Sequence, residues 1–224
     1  MAIRAAIFDA YGTLLDVHTA MGRHAGRLGP QWPQISQDWR GKQLEHSWVR
    51  SLAGPAQHRD FWRLTTEALD WTLARHNIAD AALRQSLLDA YRVLDAYPDA
   101  RITLNALATA GIGRAILSNG EPAMLAAAVA SAEIAELLDA VLSVEDVGVF
   151  KPDPRVYRLA TEKFGLPAAQ MAFVSSNPWD AFGARAFGFQ VFWINRHGAP
   201  DEYGLRGSVT EVFDLATLAG VLCG

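Results

Sequence analysis

The sequence predicts an α/β protein: a parallel sheet with helices on both faces and an all-helical segment inserted after the first strand. Three observations predict it. Five short apolar runs have strand character, at Ile3 to Phe8, Gly113 to Leu117, Ala140 to Leu142, Met171 to Val174 and Gln190 to Ile194. Helical patterns occupy the intervals between the last four, at Glu121 to Ala135, Arg155 to Phe164 and Asp180 to Phe187, and strand–helix alternation is the rhythm of a parallel sheet. From about Thr19 to Pro98 the spacing is helical throughout, as in Leu44, Trp48 and Leu52 and then Phe61, Leu64, Ala68 and Trp71, with no strand among them.

The first strand ends at Asp9. The run Ala5-Ala6-Ile7-Phe8 meets the turn Ala10-Tyr11-Gly12-Thr13 there, which places a carboxylate at the C-terminal tip of a buried strand, where open α/β sheets collect their ligands. Gly12 allows a sharp bend, and Thr13 brings a hydroxyl within reach of the carboxylate. Position 11 is tyrosine, not a second acid, so Asp9 reads as a nucleophile without an acidic partner.

The helical segment that follows hangs over Asp9 as a lid that excludes water and shapes a pocket. Its tryptophans Trp48, Trp62 and Trp71 read as packing residues of that segment. Pro98 and Asp99 mark the return of the chain. The expected division is therefore a core of residues 1–18 and 99–224 and a cap of residues 19–98.

The second strand runs into Ser118-Asn119-Gly120, a hydroxyl and an amide followed by a turn that presents N–H groups to an anion. Alone, that tripeptide is an ordinary loop. In Lys151-Pro152-Asp153-Pro154 two prolines hold the loop and start a helix; the ammonium is either a counter-ion for a buried anion or a solvated surface charge. The fourth strand leads into Ser175-Ser176-Asn177-Pro178-Trp179-Asp180, which sets hydroxyls, an amide, an indole and an acid in one turn. Asp180 also suits a helix start. Glu211 to Leu218 reads as a closing helix.

Composition narrows the function. Half of the 224 residues are apolar, a fifth are charged, and the net charge is -4 with both signs scattered; nothing points to nucleic acid or an anionic membrane as a partner. The single cysteine, Cys223, excludes an intramolecular disulfide framework and argues against a thiolate zinc site. No apolar run reaches the ~18 residues of a membrane span, and Asp9 and Gly12 interrupt the first apolar stretch, so no signal peptide is expected there. The expected location is cytoplasmic. His18, His24 and His46 are too irregularly spaced to suggest a metal site.

Taken in order, Asp9 to Thr13, Ser118-Asn119, Lys151 and Ser175 to Asp180 resemble the four motifs of the haloacid dehalogenase superfamily, over the whole chain. The resemblance implies a Rossmann-like core with an inserted helical cap and a strand order of 5-4-1-2-3, which makes the strands bearing Asp9, Ser118 and Ser175 neighbours. Phosphatases of that superfamily carry Asp-x-Asp in the first motif and an acid in the fourth that helps bind magnesium. Here those positions are Tyr11 and Ser176, and magnesium demands oxygen ligands and charge. The chain instead resembles the L-2-haloacid dehalogenases, through Asp9-Ala10-Tyr11-Gly12-Thr13-Leu14-Leu15-Asp16-Val17, Trp39-Arg40, Lys42 to Glu45, and Ser175 to Asp180.

That resemblance implies a hydrolase acting on L-2-haloalkanoic acids, with haloacetates, fluoroacetate among them, as candidate substrates, and with no metal and no cofactor. It implies that Asp9 attacks C2 and forms a covalent ester. Arg40, Asn119 and Trp179 hold the departing halide, while Ser118 and the N–H groups of Ala10 and Tyr11 hold the substrate carboxylate. Thr13 and Lys151 orient Asp9; Ser175 and Asn177 hold the hydrolytic water; Asp180 serves as base, as the partner of Lys151, or as both. Tyr157 supports the site, and Tyr11 and Leu44 either wall the pocket or pack the core. The family implies a homodimer formed through the cap. Two rivals remain at this stage: a metal-dependent phosphatase with an altered first motif, and a non-catalytic protein of the same fold that binds a small anion.

Overall fold

A computed structural model describes residues 2–223. Its centre is a six-stranded sheet in the order β3-β2-β1-β4-β5-β6, formed by β1 (Ala5–Phe8), β2 (Gly113–Ser118), β3 (Ala140–Ser143), β4 (Met171–Ser175), β5 (Gln190–Ile194) and β6 (Thr210–Val212). Every neighbouring pair is parallel. All four residues of β1 are buried. A central strand covered on both faces needs a continuous apolar run, not an alternating one, and Ala-Ala-Ile-Phe supplies it. Because β1 lies between β2 and β4, the tips carrying Asp9, Ser118 and Ser175 stand side by side.

Helices α6 (Ala100–Thr109), α7 (Pro122–Ser131), α8 (Pro154–Phe164), α9 (Pro178–Phe187) and α10 (Leu215–Cys223) accompany the strands; α6 packs with α10, and α8 with α9. Their starts are set by side chains. Glu121 accepts hydrogen bonds from the N–H groups of Ala123 and Met124, each at 2.8 Å, at the head of α7. Asp153 accepts from Arg155 N at 2.9 Å at the head of α8, with Pro154 in the first position. These are the roles in which acid and proline favour a helix N-terminus.

Between β1 and α6 every regular element is helical: α1 (Thr19–Gly22), α2 (Ala25–Leu28), α3 (Trp32–Ala53), α4 (Phe61–Arg75) and α5 (Ala81–Tyr91), with a 3-10 turn at Pro55–Gln57. The two connecting segments meet, Asp16 N donating to Asp95 O and Tyr97 N to Leu14 O, each at 2.9 Å. This helical segment, the cap below, touches the core through Phe61 and Tyr91, whose rings stack on Tyr11. Among the described residues no helix is long and apolar enough to cross a membrane.

Two expectations need correction. Glu211 and Val212 belong to edge strand β6, and the last helix starts only at Leu215. The Glu211 side chain accepts from Asn195 Nδ2 at 2.6 Å, tying the segment to the end of β5, and Thr210 and Val212 are β-branched residues suited to a strand. Of the cap tryptophans, Trp62 packs partly buried against the core, whereas Trp48 and Trp71 are not part of it. Trp71 is 39 % exposed with Lys42 Nζ 4.3 Å above its ring, Trp62 lies under the Arg92 guanidinium, and Trp48 meets Trp179 edge-on at 5.5 Å. Indoles at an apolar–polar boundary obtain cation and ring contacts there.

Candidate active site

The tip of β1 is held by the turn that follows it. Gly12 sits at φ +91°, where a side chain would be strained, and a Cβ there would lie 3.3 Å from Ser176 Oγ. The Ala10 carbonyl accepts from the N–H groups of Thr13, Leu14 and Leu15, folding the chain back so that the Thr13 hydroxyl faces Asp9.

Asp9 is almost fully buried, 4 % exposed, and accepts three hydrogen bonds: from Asn177 Nδ2 to Oδ2 at 2.7 Å, from Thr13 Oγ1 to Oδ2 at 3.2 Å, and from Lys151 Nζ to Oδ1 at 3.2 Å. These three donors fix the orientation of the carboxylate. Lys151 is fully buried and also donates to Asp180 Oδ2 at 2.9 Å. Burial alone pushes its pKa down, but the flanking Asp180 and Asp9 more than reverse this, and the ammonium is raised above the ordinary lysine value.

Asp180, at the first turn of α9 and fully buried, accepts from Lys151, from Ser175 Oγ at 3.1 Å and from Tyr157 Oη at 2.8 Å. Burial, with the charge of Asp9 adding to it, raises its pKa to about 6 against the pull of Lys151. The Tyr157 hydroxyl is pushed well up by burial and by Asp180, so it stays a donor. Gly183 lets α9 approach: a Cβ there would come 2.5 Å from both Tyr157 Oη and Pro152 Cβ.

Ser118 is fully buried, and its Oγ accepts from Gly120 N at 3.1 Å, which leaves its proton free to donate. Lys151 N donates to Asn119 Oδ1 at 3.0 Å. A backbone N–H is only a donor, so the amide oxygen of Asn119 must face it. Asn119 Nδ2 is consequently turned the other way, buried and without a partner. Among the described residues the N–H groups of Ala10 and Tyr11 also donate to no protein acceptor. Buried donors left open in a folded protein call for a partner, and an anion supplies one.

Arg40 lies on α3, half-buried, with Nη1 3.5 Å from Gln43 Oε1. It lines a cavity of about 210 Å³ together with Tyr11, Gly12, Ser176 and Asn177. Tyr11 is buried within the apolar core, stacks between Phe61 and Tyr91, and keeps its hydroxyl unpartnered; burial raises its pKa well above the ordinary value. Leu44 is buried but lies outside the contiguous core cluster. Trp179 and Lys151 line a second, apolar cleft together with Trp48 and Phe182.

The structure thus joins Asp9, Thr13, Lys151, Ser175, Asn177, Asp180 and Tyr157 in one hydrogen-bonded network, with Ser118 and Asn119 beside it on the neighbouring strand tip. Arg40 lines the first cavity and Trp179 the second, and neither these two nor Leu44 makes a direct bond to Asp9. The Ser175 proton goes to Asp180, and Asn177 Nδ2 goes to Asp9 and, at 3.3 Å, to Tyr11 O; neither side chain is idle in the resting protein. Gln43 and Tyr91 carry no role in the sequence-based expectations. Gln43 is fully buried, accepts from Tyr91 Oη at 3.1 Å and donates to Thr65 Oγ1 at 3.0 Å, forming the shelf on which Arg40 rests.

Ser176, where a phosphatase would carry an acid, donates to Gly12 O at 2.6 Å and meets Thr13 Oγ1 at 3.2 Å. Its hydroxyl braces the β1 turn.

The sequence profile of the haloacid dehalogenase-like hydrolases matches residues 3–188. The chain belongs to that family. It is 46% identical over 221 residues to (S)-2-haloacid dehalogenase 1 of Pseudomonas sp. strain CBS-3, covering 98% of this chain and 96% of that protein. It is 47% identical over 218 residues to (S)-2-haloacid dehalogenase 4A of Burkholderia cepacia, covering 97% and 94%. Among solved structures it superposes, with a TM-score of 0.89 and 37% identity over 99% of both chains, on L-2-haloacid dehalogenase from Xanthobacter autotrophicus with chloropropionic acid covalently bound. In this dehalogenase-like hydrolase the strand order matches the one the family implies, with β6 added at the edge.

Proposed function

We propose that the protein is an (S)-2-haloacid dehalogenase, which hydrolyses L-2-haloalkanoates to D-2-hydroxyalkanoates, releasing halide and a proton. One observation carries the reading: a buried carboxylate, Asp9, held by Lys151, Thr13 and Asn177 with tyrosine in place of a second acid, in a chain matched almost end to end by (S)-2-haloacid dehalogenases.

In the first step an Asp9 oxygen attacks C2 from the side opposite the halogen. Oδ1, which carries the Lys151 bond alone, keeps a lone pair free for this. The C2–halogen electron pair leaves with the halide, C2 inverts, and an ester forms on Asp9; this is covalent nucleophilic catalysis. Arg40, the open amide of Asn119 and the indole edge of Trp179 receive the halide, so they stabilise charge that exists only as the bond breaks. The free proton of Ser118 and the N–H groups of Ala10 and Tyr11 hold the substrate carboxylate and set the line of attack. Tyr11 and Leu44 wall the pocket.

In the second step water attacks the ester carbonyl of Asp9. Ser175 and Asn177 place it, and Asp9 Oδ2, now the ester carbonyl oxygen, still accepts from Asn177. Asp180 takes the proton: its three donors fill three of roughly four acceptor positions on a carboxylate, and a pKa raised to about 6 suits a base that works near neutral pH. Lys151 shields the two carboxylates from each other. The departing alkoxide keeps the oxygen that Asp9 supplied and takes the proton back from Asp180 to become the alcohol; the water oxygen stays on Asp9, whose regenerated carboxyl group gives up the proton that is released. None of these steps calls on a metal or a cofactor.

The proposal includes the division into a core of residues 1–18 and 99–224 and a cap of residues 19–98, joined where Asp16 pairs with Asp95. It includes a homodimer formed through the cap, on whose surface Leu52 is 88 % and Val49 58 % exposed. It includes a cytoplasmic location, which suits an exposed free thiol at Cys223.

The test is halide release from L- and D-2-chloropropionate, with fluoroacetate alongside, in excess chelator. Release from the L isomer alone is expected. Silence there, with magnesium-dependent cleavage of a phosphate ester, would move the protein to the phosphatases.

A further inference from the structure

Among the described residues, and away from the two connecting segments, two hydrogen bonds join the cap to the core. His58 Nε2 donates to Glu145 Oε2 at 2.9 Å, and Phe150 N donates to Ser51 Oγ at 3.2 Å. Both land on one core loop, residues 143–151, which runs from the end of β3 to Lys151. The His58 ring also lies 5.1 Å from the buried Phe150 ring, and Phe61 packs on it at 5.9 Å.

The same loop grips the strand-tip turn at Asn119 and Gly120 from its other side, again at two points. Ser143 Oγ donates to Gly120 O at 2.7 Å, and Lys151 N donates to Asn119 Oδ1 at 3.0 Å. Ser143 Oγ in turn accepts from Glu145 N at 3.2 Å. Each cap contact is therefore one short covalent step from a contact that sets Asn119: Glu145 through Ser143 to Gly120, and Phe150 through the Lys151 amide to Asn119 itself.

The Glu145 carboxylate makes this arrangement costly unless it is used. Its Oε1 is buried with no partner, so the group depends on His58 for its one side-chain hydrogen bond, and an unsatisfied buried acceptor is destabilising.

We propose that Ser51 and His58 are positioning residues: through loop 143–151 they hold the Asn119 amide with its open Nδ2 toward the departing halide, so that a seated cap is a condition for fast carbon–halogen cleavage. The inference rests on the dehalogenase reading, since it gives Asn119 its task. The second step draws on Ser175, Asn177 and Asp180, which lie on the opposite side of β1; Lys151 at the end of the loop is held separately by Asp9 and Asp180, so this step depends on the clamp far less than the first.

The experiment follows the halide burst and the later ester hydrolysis of L-2-chloropropionate by rapid quench, in the wild type, Ser51→Ala, His58→Leu, the two combined, and His58→Gln, with Tm measured for each. The combined variant slows the burst about 10-fold and ester hydrolysis less than about 2-fold, and His58→Gln, which can still donate to Glu145, recovers most of the burst. In an Asn119→Ala background the combined change adds less than about 2-fold, because the route runs through that side chain. Ser51→Ala gives the same test at smaller size should the combined variant fold poorly. A lowered Tm with an unchanged burst, or an equal loss in the Asn119→Ala background, overturns the proposal. A wild type that releases no halide overturns the dehalogenase reading, which is a separate result.

Discussion

Asn177 Nδ2 lies 2.7 Å from Asp9 Oδ2, the shortest of the three hydrogen bonds that the nucleophilic carboxylate accepts. The contact crosses from β4 to β1 and supplies a donor that does not titrate. A carboxylate in its place would set like charges together, and one of the pair would take up a proton. Asn177→Asp is expected to lower the halide burst at pH 7 by about 100-fold with the fold retained by circular dichroism; a burst at the wild-type rate would show that this contact does not prepare Asp9.

The second step carries a pH signature. With Asp180 as the proposed base, it must be ionised to accept a proton from water, so ester hydrolysis is expected to fall as pH drops through its pKa, about tenfold per unit on the acid side. In the resting protein that pKa is raised to about 6, chiefly by burial and further by Asp9. Esterification removes the Asp9 charge, so the acid limb of hydrolysis is expected below 6. Single-turnover hydrolysis between pH 4.5 and 8 (a range roughly spanning the relevant acid groups) checks this, and the limb should vanish in Asp180→Asn along with most of the rate.

Lys151 is buried between two buried carboxylates. From sequence alone Lys151→Ala should harm the reaction without unfolding the protein; the burial changes that expectation. Removing one partner of a buried ion pair costs about 3–5 kcal/mol. The sign with pH follows from proton uptake. Without the ammonium, Asp180 in the folded state has a pKa above its unfolded value, so folding is favoured at low pH and that stability is lost as pH rises through the folded pKa. Urea unfolding should show a larger deficit at pH 8 than at pH 5; an equal deficit at both would mean that the carboxylates are relieved some other way.

Much of this was legible in the sequence because it is written in runs. Ala5 to Phe8 reads as a buried strand, which sets Asp9 at a strand tip, whereas the residues around Lys151 left a buried counter-ion and a surface charge equally open. Less was legible where spacing is shared by several environments. Trp48 and Trp71 fit the same helical core pattern as Trp62, yet they meet Trp179 and Lys42, because helical periodicity marks a face without saying what covers it. Glu211 and Val212 fit a helix, and the bond from Asn195 that draws them to the sheet joins residues 16 positions apart. The shelf of Gln43 and Tyr91 under Arg40 spans 48 positions and has no local signature.

Gly183 tests how tightly α9 must lie against the site. A Cβ there falls 2.5 Å from Tyr157 Oη and from Pro152 Cβ, neither of which has room to yield while Tyr157 holds Asp180. Gly183→Ala is expected to destabilise the protein by about 1–3 kcal/mol, as overpacking does, and to slow ester hydrolysis more than halide release. Equal slowing of both steps would detach Tyr157 from the second step.

Arg40 is half-buried, and its bond to Gln43 is long, which leaves the guanidinium free to turn toward a leaving group. Arg40→Ala should reduce the halide burst by about 100-fold or more while weakening the binding of propionate, which has no halogen, by less than about 10-fold. Comparable losses in both would move Arg40 from the halide to the substrate carboxylate.

The covalent role of Asp9 is tested most directly by a single turnover of L-2-chloropropionate with enzyme in excess, in water enriched in oxygen-18, followed by mass analysis of the lactate and of the peptide containing Asp9. The account predicts unlabelled D-lactate and one labelled oxygen in the Asp9 carboxylate, since water enters at the ester carbonyl. Labelled lactate with an unlabelled Asp9 would mean that water displaces the halide directly, and would contradict it.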